Sequence, residues 1–204
     1  MKKKLLIFGA GGHGRVVADA ASGKYEEIAF LNDNEPAIPV QYPIIGTLSD
    51  YRKFLYDYDC FPAFGNSALR RRVCEQVAAE NGTLAVVIHP NAVLGSRTKI
   101  GAGTFLAPGV IVNNNAKIGR GVILNTSCSV DHDCEIGDYV HVSVGAHLCG
   151  TVKIGPDSWI GAGATVINNL TVCGGCMIGA GAVVVKNIEK PGTYVGVPAE
   201  FMKR

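Results

Sequence analysis

Ile88-His-Pro-Asn-Ala-Val93, Leu94-Gly-Ser-Arg-Thr-Lys99, Ile100-Gly-Ala-Gly-Thr-Phe105, Leu106-Ala-Pro-Gly-Val-Ile111 and Val112-Asn-Asn-Asn-Ala-Lys117 are successive rows of six, and the register runs on without a slip to Glu189. The first column of these rows is aliphatic throughout, from Ile88 to Val184. The fifth column, from Ala92 through Cys128 and Cys134 to Ile188, is small or apolar. The fourth column is mostly Gly, Asn or Asp, the residues that best tolerate φ > 0 at a corner. Neither the helical period nor strand alternation produces a repeat of six. A hexapeptide repeat of this chemistry predicts a parallel β-helix, with columns one and five turned into a narrow prism. Three rows make one triangular coil of eighteen residues, and Ile100-Gly101, Ile118-Gly119, Ile136-Gly137 and Ile154-Gly155 recur at that interval.

The pattern resembles the left-handed β-helix of hexapeptide acyltransferases, and the expected hand is taken from that resemblance. A solenoid can be inert scaffolding, so function has to be read from residues that break the columns.

Upstream, strands alternate with helices. Residues 3 to 9 read as a strand, Arg15 to Ser22 as a helix, Glu27 to Leu31 as a strand and 48 to 57 as a helix. Cys60 to Phe64 follows as a strand, 67 to 80 as a helix and Thr83 to Val87 as a last strand. The expected organisation is a small α/β Rossmann-like domain over residues 1–87, followed by the β-helix with a C-terminal tail over 88–204. The first strand ends in Gly9-Ala-Gly-Gly-His-Gly14, with Asp33 at the end of the second strand. A G-x-G-x-x-G loop between strand and helix suits a phosphate, because glycines let backbone N–H groups approach the anion at a helix N-terminus. Such a short domain is half of a two-lobed dinucleotide fold, so a nucleotide diphosphate is expected rather than NAD. Gly65-Asn66 ends a later strand at the same carboxyl edge.

The formal net charge of +2 is too small to imply a nucleic-acid partner. Lys2, Lys3 and Lys4 precede an apolar run, Leu5 to Phe8, far too short for a signal core or a membrane span. A cytoplasmic protein is expected. Of the seven cysteines, Cys128, Cys134 and Cys176 fall in the inward fifth column as small hydrophobes. Cys173 and Cys176 spell CxxC, but they occupy columns two and five, expected to differ in direction, and no second pair accompanies them. No metal is expected.

The polar interruption of the solenoid runs from Leu124 to His147 and holds His132, His141 and His147, with Asp131 and Asp133 flanking His132. A neutral imidazole is the natural base near pH 7, and a carboxylate beside it can fix its tautomer. Trp159 stands eighteen residues after His141 and is expected to stack one coil along; His89 and His147 read as surface or turn residues.

Gly9-Ala-Gly-Gly-His-Gly14, Phe30-Leu-Asn-Asp33, Phe64-Gly-Asn66, Gly121-Val-Ile-Leu-Asn-Thr126, Asp131-His-Asp-Cys134, His141-Val-Ser-Val-Gly-Ala146 and Val195-Gly-Val-Pro-Ala199 together resemble the sialic acid O-acetyltransferase-like family. Within it the likeness is to the UDP-4-amino-sugar N-acetyltransferases of bacillosamine synthesis, and it spans the whole chain. The resemblance implies acetyl-CoA as donor, a nucleotide-linked amino sugar as acceptor, and a homotrimer. It implies His132 as catalytic base and Asp133, where the family usually has Glu, as the acid that orients it. It places His141, with Gly145 and Ala146, at the acetyl-CoA site, and Gly11, Gly12, His13, Asp33, Gly65 and Asn66 at the nucleotide sugar. Asn32 stands where a first Asp often precedes Asp33. O-acetylation of a sugar hydroxyl and a non-catalytic nucleotide-sugar-binding scaffold are the other readings.

Overall fold

The computed structural model of the chain describes residues 4–203. The chain divides into two compact units between His89 and Pro90.

In the first unit, β1 (Lys4–Phe8), β2 (Glu27–Leu31), β3 (Ile44–Gly46) and β4 (Asp59–Pro62) form one parallel sheet in the order β3-β2-β1-β4. Helix α1 (Gly12–Ala21) connects β1 to β2, and helix α2 (Ser67–Ala79) follows β4. Leu5, Leu6, Ile7 and Phe8 are all buried, so β1 is covered on both faces; this is why it reads as an unbroken apolar run instead of an alternating one. Leu6, Phe8, Ala29, Leu31 and Cys60 pack with Tyr51, Tyr58, Val73 and Val77.

Two elements differ from expectation. Residues 48 to 57 hold a short 3-10 helix, Leu48–Phe54. Asp50 and Thr47 form a capping box at its start, and Asp33 Oδ1 accepts the Leu48 N–H at 2.8 Å. Asp57 and Tyr58 both donate to the Phe54 carbonyl, turning the chain into β4 before a longer helix can form. The expected strand at Thr83 to Val87 reduces to one bridge, Leu84 to Cys60, and a two-residue strand at Val87–Ile88. Pro62 offers no N–H and closes the ladder available on β4. Lys3, expected in the first strand, lies outside the described residues.

The second unit is the parallel β-helix. Its first face stacks Val93–Leu94, Ile111–Val112, Ser129–Val130, His147–Leu148, Thr165–Val166 and Val183–Val184. Its second face runs from Lys99–Ile100 through Glu135–Ile136 to Thr171–Val172. Its third face carries Phe105–Leu106, Ile123–Leu124, His141–Val142, Trp159–Ile160 and Cys176–Ile178. The register pairs each residue with the one eighteen further on, as in His141 with Trp159 and Ser129 with His147. The columns point as expected: Val112, Ile118, Leu124 and Val130 are buried, with Ala116, Val122, Cys128 and Cys134 between them. Every fourth-column residue from Arg97 to Gly181 has positive φ, including Arg97, Ser127, Tyr139 and Thr151, which no residue preference would put there. At the second column of one corner the coils approach so closely that a Cβ on Gly155 would stand 2.2 Å from the Gly174 nitrogen. Gly192–Val195 pairs with Cys176–Ile178, and Glu200–Phe201 returns antiparallel on it, ending the third face. No described helix is long and apolar enough to cross a membrane.

Candidate active site

His132 occupies a corner of the solenoid, between the strand Ser129–Val130 on the first face and Glu135–Ile136 on the second. The Asp133 φ of 59° turns the chain there and brings the carboxylate back beside the ring. His132 Nδ1 and Asp133 Oδ2 are 2.8 Å apart. With Nδ1–H donated to a carboxylate, Nε2 keeps the lone pair. Asp133 Oδ1 accepts from Asn115 Nδ2 at 2.7 Å, one coil earlier. On the other flank, Asp131 Oδ1 accepts both the His132 backbone N–H and Asn113 Nδ2, each at 2.8 Å. The His132 carbonyl accepts from Thr151 one coil later.

The electrostatics follow from these bonds. The hydrogen bond to Asp133 raises the His132 pKa above its ordinary value; desolvation opposes this, and the charges of Asp131 and Asp133 add to it. Asn115, then His132, holds the Asp133 carboxyl below the usual range. Asn113, then the His132 backbone, does the same for Asp131. The ring rests against Gly150, where a Cβ would stand 2.6 Å from Nε2. Glycine at that position leaves the room the imidazole needs.

His141 lies on the third face and is buried. Its ring stacks on Trp159, centroids 4.5 Å apart and planes at 32°, as the eighteen-residue spacing led us to expect. Asn125 Nδ2 lies 3.2 Å from His141 Nε2, and Trp159 Nε1 donates to Ser143 Oγ at 2.7 Å. Asn125, His141, Ser143 and Trp159 thus form one polar patch on a face that is otherwise apolar. Gly145 sits at an open corner with φ of 62° and open space where a Cβ would stand. Ala146 instead fills the core; its N–H donates to the Ser143 carbonyl, its own carbonyl accepts from the Ser129 N–H, and it packs under the site. His147 is exposed and joins Ser129 Oγ at 2.8 Å.

In the first unit, Gly9 has φ of 98°, and a Cβ on Gly14 would meet the Gly9 carbonyl oxygen at 2.0 Å. The loop can be built only with glycine at these two positions. Gly11 caps α1 without a side chain, and the Ala10 N–H is held by Asn32 Oδ1 at 3.0 Å. Gly11, Gly12, Arg15 and Asn32 line a groove of about 350 Å³ with the loop 36–38. Asp33 lines a second hollow, of about 490 Å³, with Ser49, Arg52, Arg72 and Gln76. His13 is pushed down to about 4 by burial and then by the charge of Arg70, so it is neutral at pH 7. Asn66 caps α2 through the Leu69 N–H at 2.9 Å. The fully buried Arg70 ties down the Phe64 and Gly65 carbonyls at 2.7 and 3.0 Å.

Comparison with known proteins fits this geometry. A family model described as the PglD N-terminal domain matches residues 4–77. The acetyltransferase domain of PglB from Neisseria gonorrhoeae FA1090 is 40% identical, covering 98% of this chain and 100% of that one, with a TM-score of 0.95. A second structure of that domain is a complex with acetyl coenzyme A. PerB from Caulobacter crescentus, in complex with CoA and GDP-perosamine, is 30% identical over 98% of this chain and 97% of that one, with a TM-score of 0.90. WeeI from Acinetobacter baumannii AYE is 28% identical, covering 98% and 100%, with a TM-score of 0.87.

The chain belongs to the hexapeptide-repeat sugar N-acetyltransferases. Its solenoid is the left-handed β-helix of that family. Within this N-acetyltransferase the sequence singles out His132 and His141 but not the residues that hold them. Asn113, Asn115 and Gly150 were missed, although each lies eighteen residues from Asp131, Asp133 or His132. That interval was the signal that could have found them. The CxxC reading needs correction. Cys173 and Cys176 were expected to diverge, yet their sulfurs are 3.5 Å apart, because the corner between columns two and five folds one back on the other. Among the described residues no group of three or more His, Cys, Asp or Glu is placed to hold a metal ion.

Proposed function

We propose that this N-acetyltransferase moves the acetyl group of acetyl-CoA to the 4-amino group of a nucleotide-linked 4-amino-4,6-dideoxy sugar, with UDP as the nucleotide. The observation that carries the reading is the 2.8 Å bond between His132 Nδ1 and Asp133 Oδ2, which leaves Nε2 as an exposed, basic lone pair. The acceptor amine attacks the thioester carbonyl and must lose a proton as the C–N bond forms. His132 Nε2 takes that proton, and Asp133 stabilises the imidazolium that results. Collapse of the tetrahedral intermediate breaks the C–S bond and releases CoA, to which the proton returns. Attack is direct, since the fifth-column thiols are buried and burial raises Cys128 to about 12 and Cys134 to about 11. The acetyl-CoA held by the PglB domain and the CoA and GDP-perosamine held by PerB support the two substrates.

The first unit, which ends at His89, is the acceptor domain in this reading. The diphosphate lies along Gly11 and Gly12, and Asp33, Gly65 and Asn66 shape the rest. His13, being neutral, offers a hydrogen bond and no charge. Around acetyl-CoA stand His141, Asn125 and Gly145. His132 is on a corner between faces one and two whereas His141 opens face three. Donor and base therefore meet most simply when solenoids pack side by side, and closed symmetry gives a trimer with equivalent sites. Seven free thiols suit the reducing cytoplasm. The test is a panel of UDP-, GDP- and TDP-linked amino sugars incubated with acetyl-CoA, with product masses recorded and light scattering run alongside. Acetylation of a UDP-4-amino sugar by a trimer is expected. No acetylated amine from any donor–acceptor pair, or a fully active monomer, refutes the corresponding part.

A further inference from the structure

The CxxC of the last coil is unused by the chemistry above. At its corner the second column is glycine in every earlier coil, Gly101, Gly119, Gly137 and Gly155, because the stacked backbone leaves no room for a Cβ. Cys173 is the first residue there to carry a side chain. Its sulfur lies 3.5 Å from that of Cys176. Both are free thiols. Gly174 and Gly175 are the only residues between them, and Gly175 has φ of 70°, so the loop has the freedom a small closure requires. The two differ in access. Cys176 is buried in the prism, whereas Cys173 is half-buried and lines the open hollow on the second face beside Lys153 and Thr171.

We propose that Cys173 and Cys176 are a vicinal dithiol that low-molecular-weight disulfides oxidise to an intramolecular disulfide. Cys173, the accessible partner, attacks as its thiolate and forms a mixed disulfide, expelling one small thiolate. Cys176 then gives up its proton and attacks the Cys173 sulfur, expelling the second. The net reaction converts two protein thiols and one small disulfide into one protein disulfide and two small thiols. Burial, then the hydrogen bond with Cys173, raises Cys176 to about 12, which assigns it the second, resolving step. The product braces the last corner, where Cys176 opens the pairing with Gly192.

The test uses the intact protein and glutathione disulfide, with alkylation of remaining thiols, intact mass and peptide mapping. Wild type should lose two hydrogens and yield one cross-linked peptide holding Cys173 and Cys176. Cys176→Ser should stop at a glutathione adduct on Cys173, and Cys173→Ser should leave Cys176 unmodified. If Cys176→Ser fails to fold, the wild-type mass and peptide map decide alone. A wild-type protein that keeps every thiol, that stops at an adduct on Cys173, or that reacts only at Cys149, the other half-buried free thiol, overturns the proposal.

Discussion

Replacing Gly150 with alanine tests the base without touching it. Gly150 lies one coil beyond His132, and its new Cβ would stand 2.6 Å from Nε2 and 2.7 Å from Cε1 of the imidazole. Carbon and nitrogen of this kind rest near ~3.5 Å, so the ring edge must retreat by roughly 1 Å. The ring is the exposed end of a side chain, so it can swing, and the fold gives up little. The backbone of Gly150 is outside the positive-φ set, so alanine adds no strain there. Swinging the ring pulls Nδ1 from Asp133 and carries Nε2 off the line to the amine. A misplacement of about 1 Å can cost on the order of 100-fold in rate. The expected result is a kcat about 100-fold lower with acetyl-CoA affinity and Tm unchanged, read by steady-state kinetics, calorimetric titration and thermal melting. Because the effect runs through His132, the double variant H132A/G150A must be no slower than H132A alone. A Gly150→Ala enzyme with wild-type kcat, or a double variant whose losses multiply, would refute the reasoning.

His132→Ala removes the base and should lower kcat by about 100- to 10,000-fold, with partial recovery at high pH where the amine is already free; a wild-type kcat at pH 7 would remove His132 from the chemistry. Asn115→Ala frees one Asp133 oxygen and should cost about tenfold in kcat, the size of one charged hydrogen bond of ~1.4 kcal/mol. The base works neutral and its pKa is raised, so the acid limb of wild-type kcat lies above ~6.5. Losing the brace should move that limb to lower pH, which a pH–rate profile reads, and an unmoved limb counts against the brace. His13 bears on stability. Its folded pKa of about 4 lies below the ordinary ~6.5, so the unfolded chain binds the extra proton between those values. Stability should fall by about 3 kcal/mol as pH drops through that window, and denaturant midpoints for His13→Asn should lack this slope.

The repeat was legible because each column has one job. An aliphatic every sixth residue needs no partner to be recognised, whereas the corners were legible only in part. Tyr139 and Thr151 take positive φ because the Tyr139 N–H must reach Arg120 and the Thr151 N–H must reach His132, a ladder demand that overrides residue preference. The 3-10 helix at Leu48–Phe54 was unreadable for a similar reason: Asp33, distant in sequence, pins its first turn. His132 and Asp133 are sequence neighbours, so their pairing could be guessed. Asn125 and His141 are sixteen apart, off the eighteen-residue register, and only the structure shows that the two side chains lean toward each other.

Asp133 shows how the repeat and the chemistry constrain one residue at once. As a corner residue it must accept positive φ, which Asp tolerates better than Glu. As the partner of His132 it must hold a carboxylate at hydrogen-bond distance on a side chain one methylene shorter than Glu. A short side chain on a turned backbone reaches the preceding ring at 2.8 Å, so the corner geometry makes up the missing length. The cost is that one oxygen is left facing the coil before it. Asn115 meets that oxygen at 2.7 Å, in the same column, eighteen residues earlier. Asn suits this place twice over, since it too takes positive φ, at 61°, and its amide supplies the donor. The coil before thus fixes the orientation of the His132–Asp133 pair, and a change at Asn115 is read at His132.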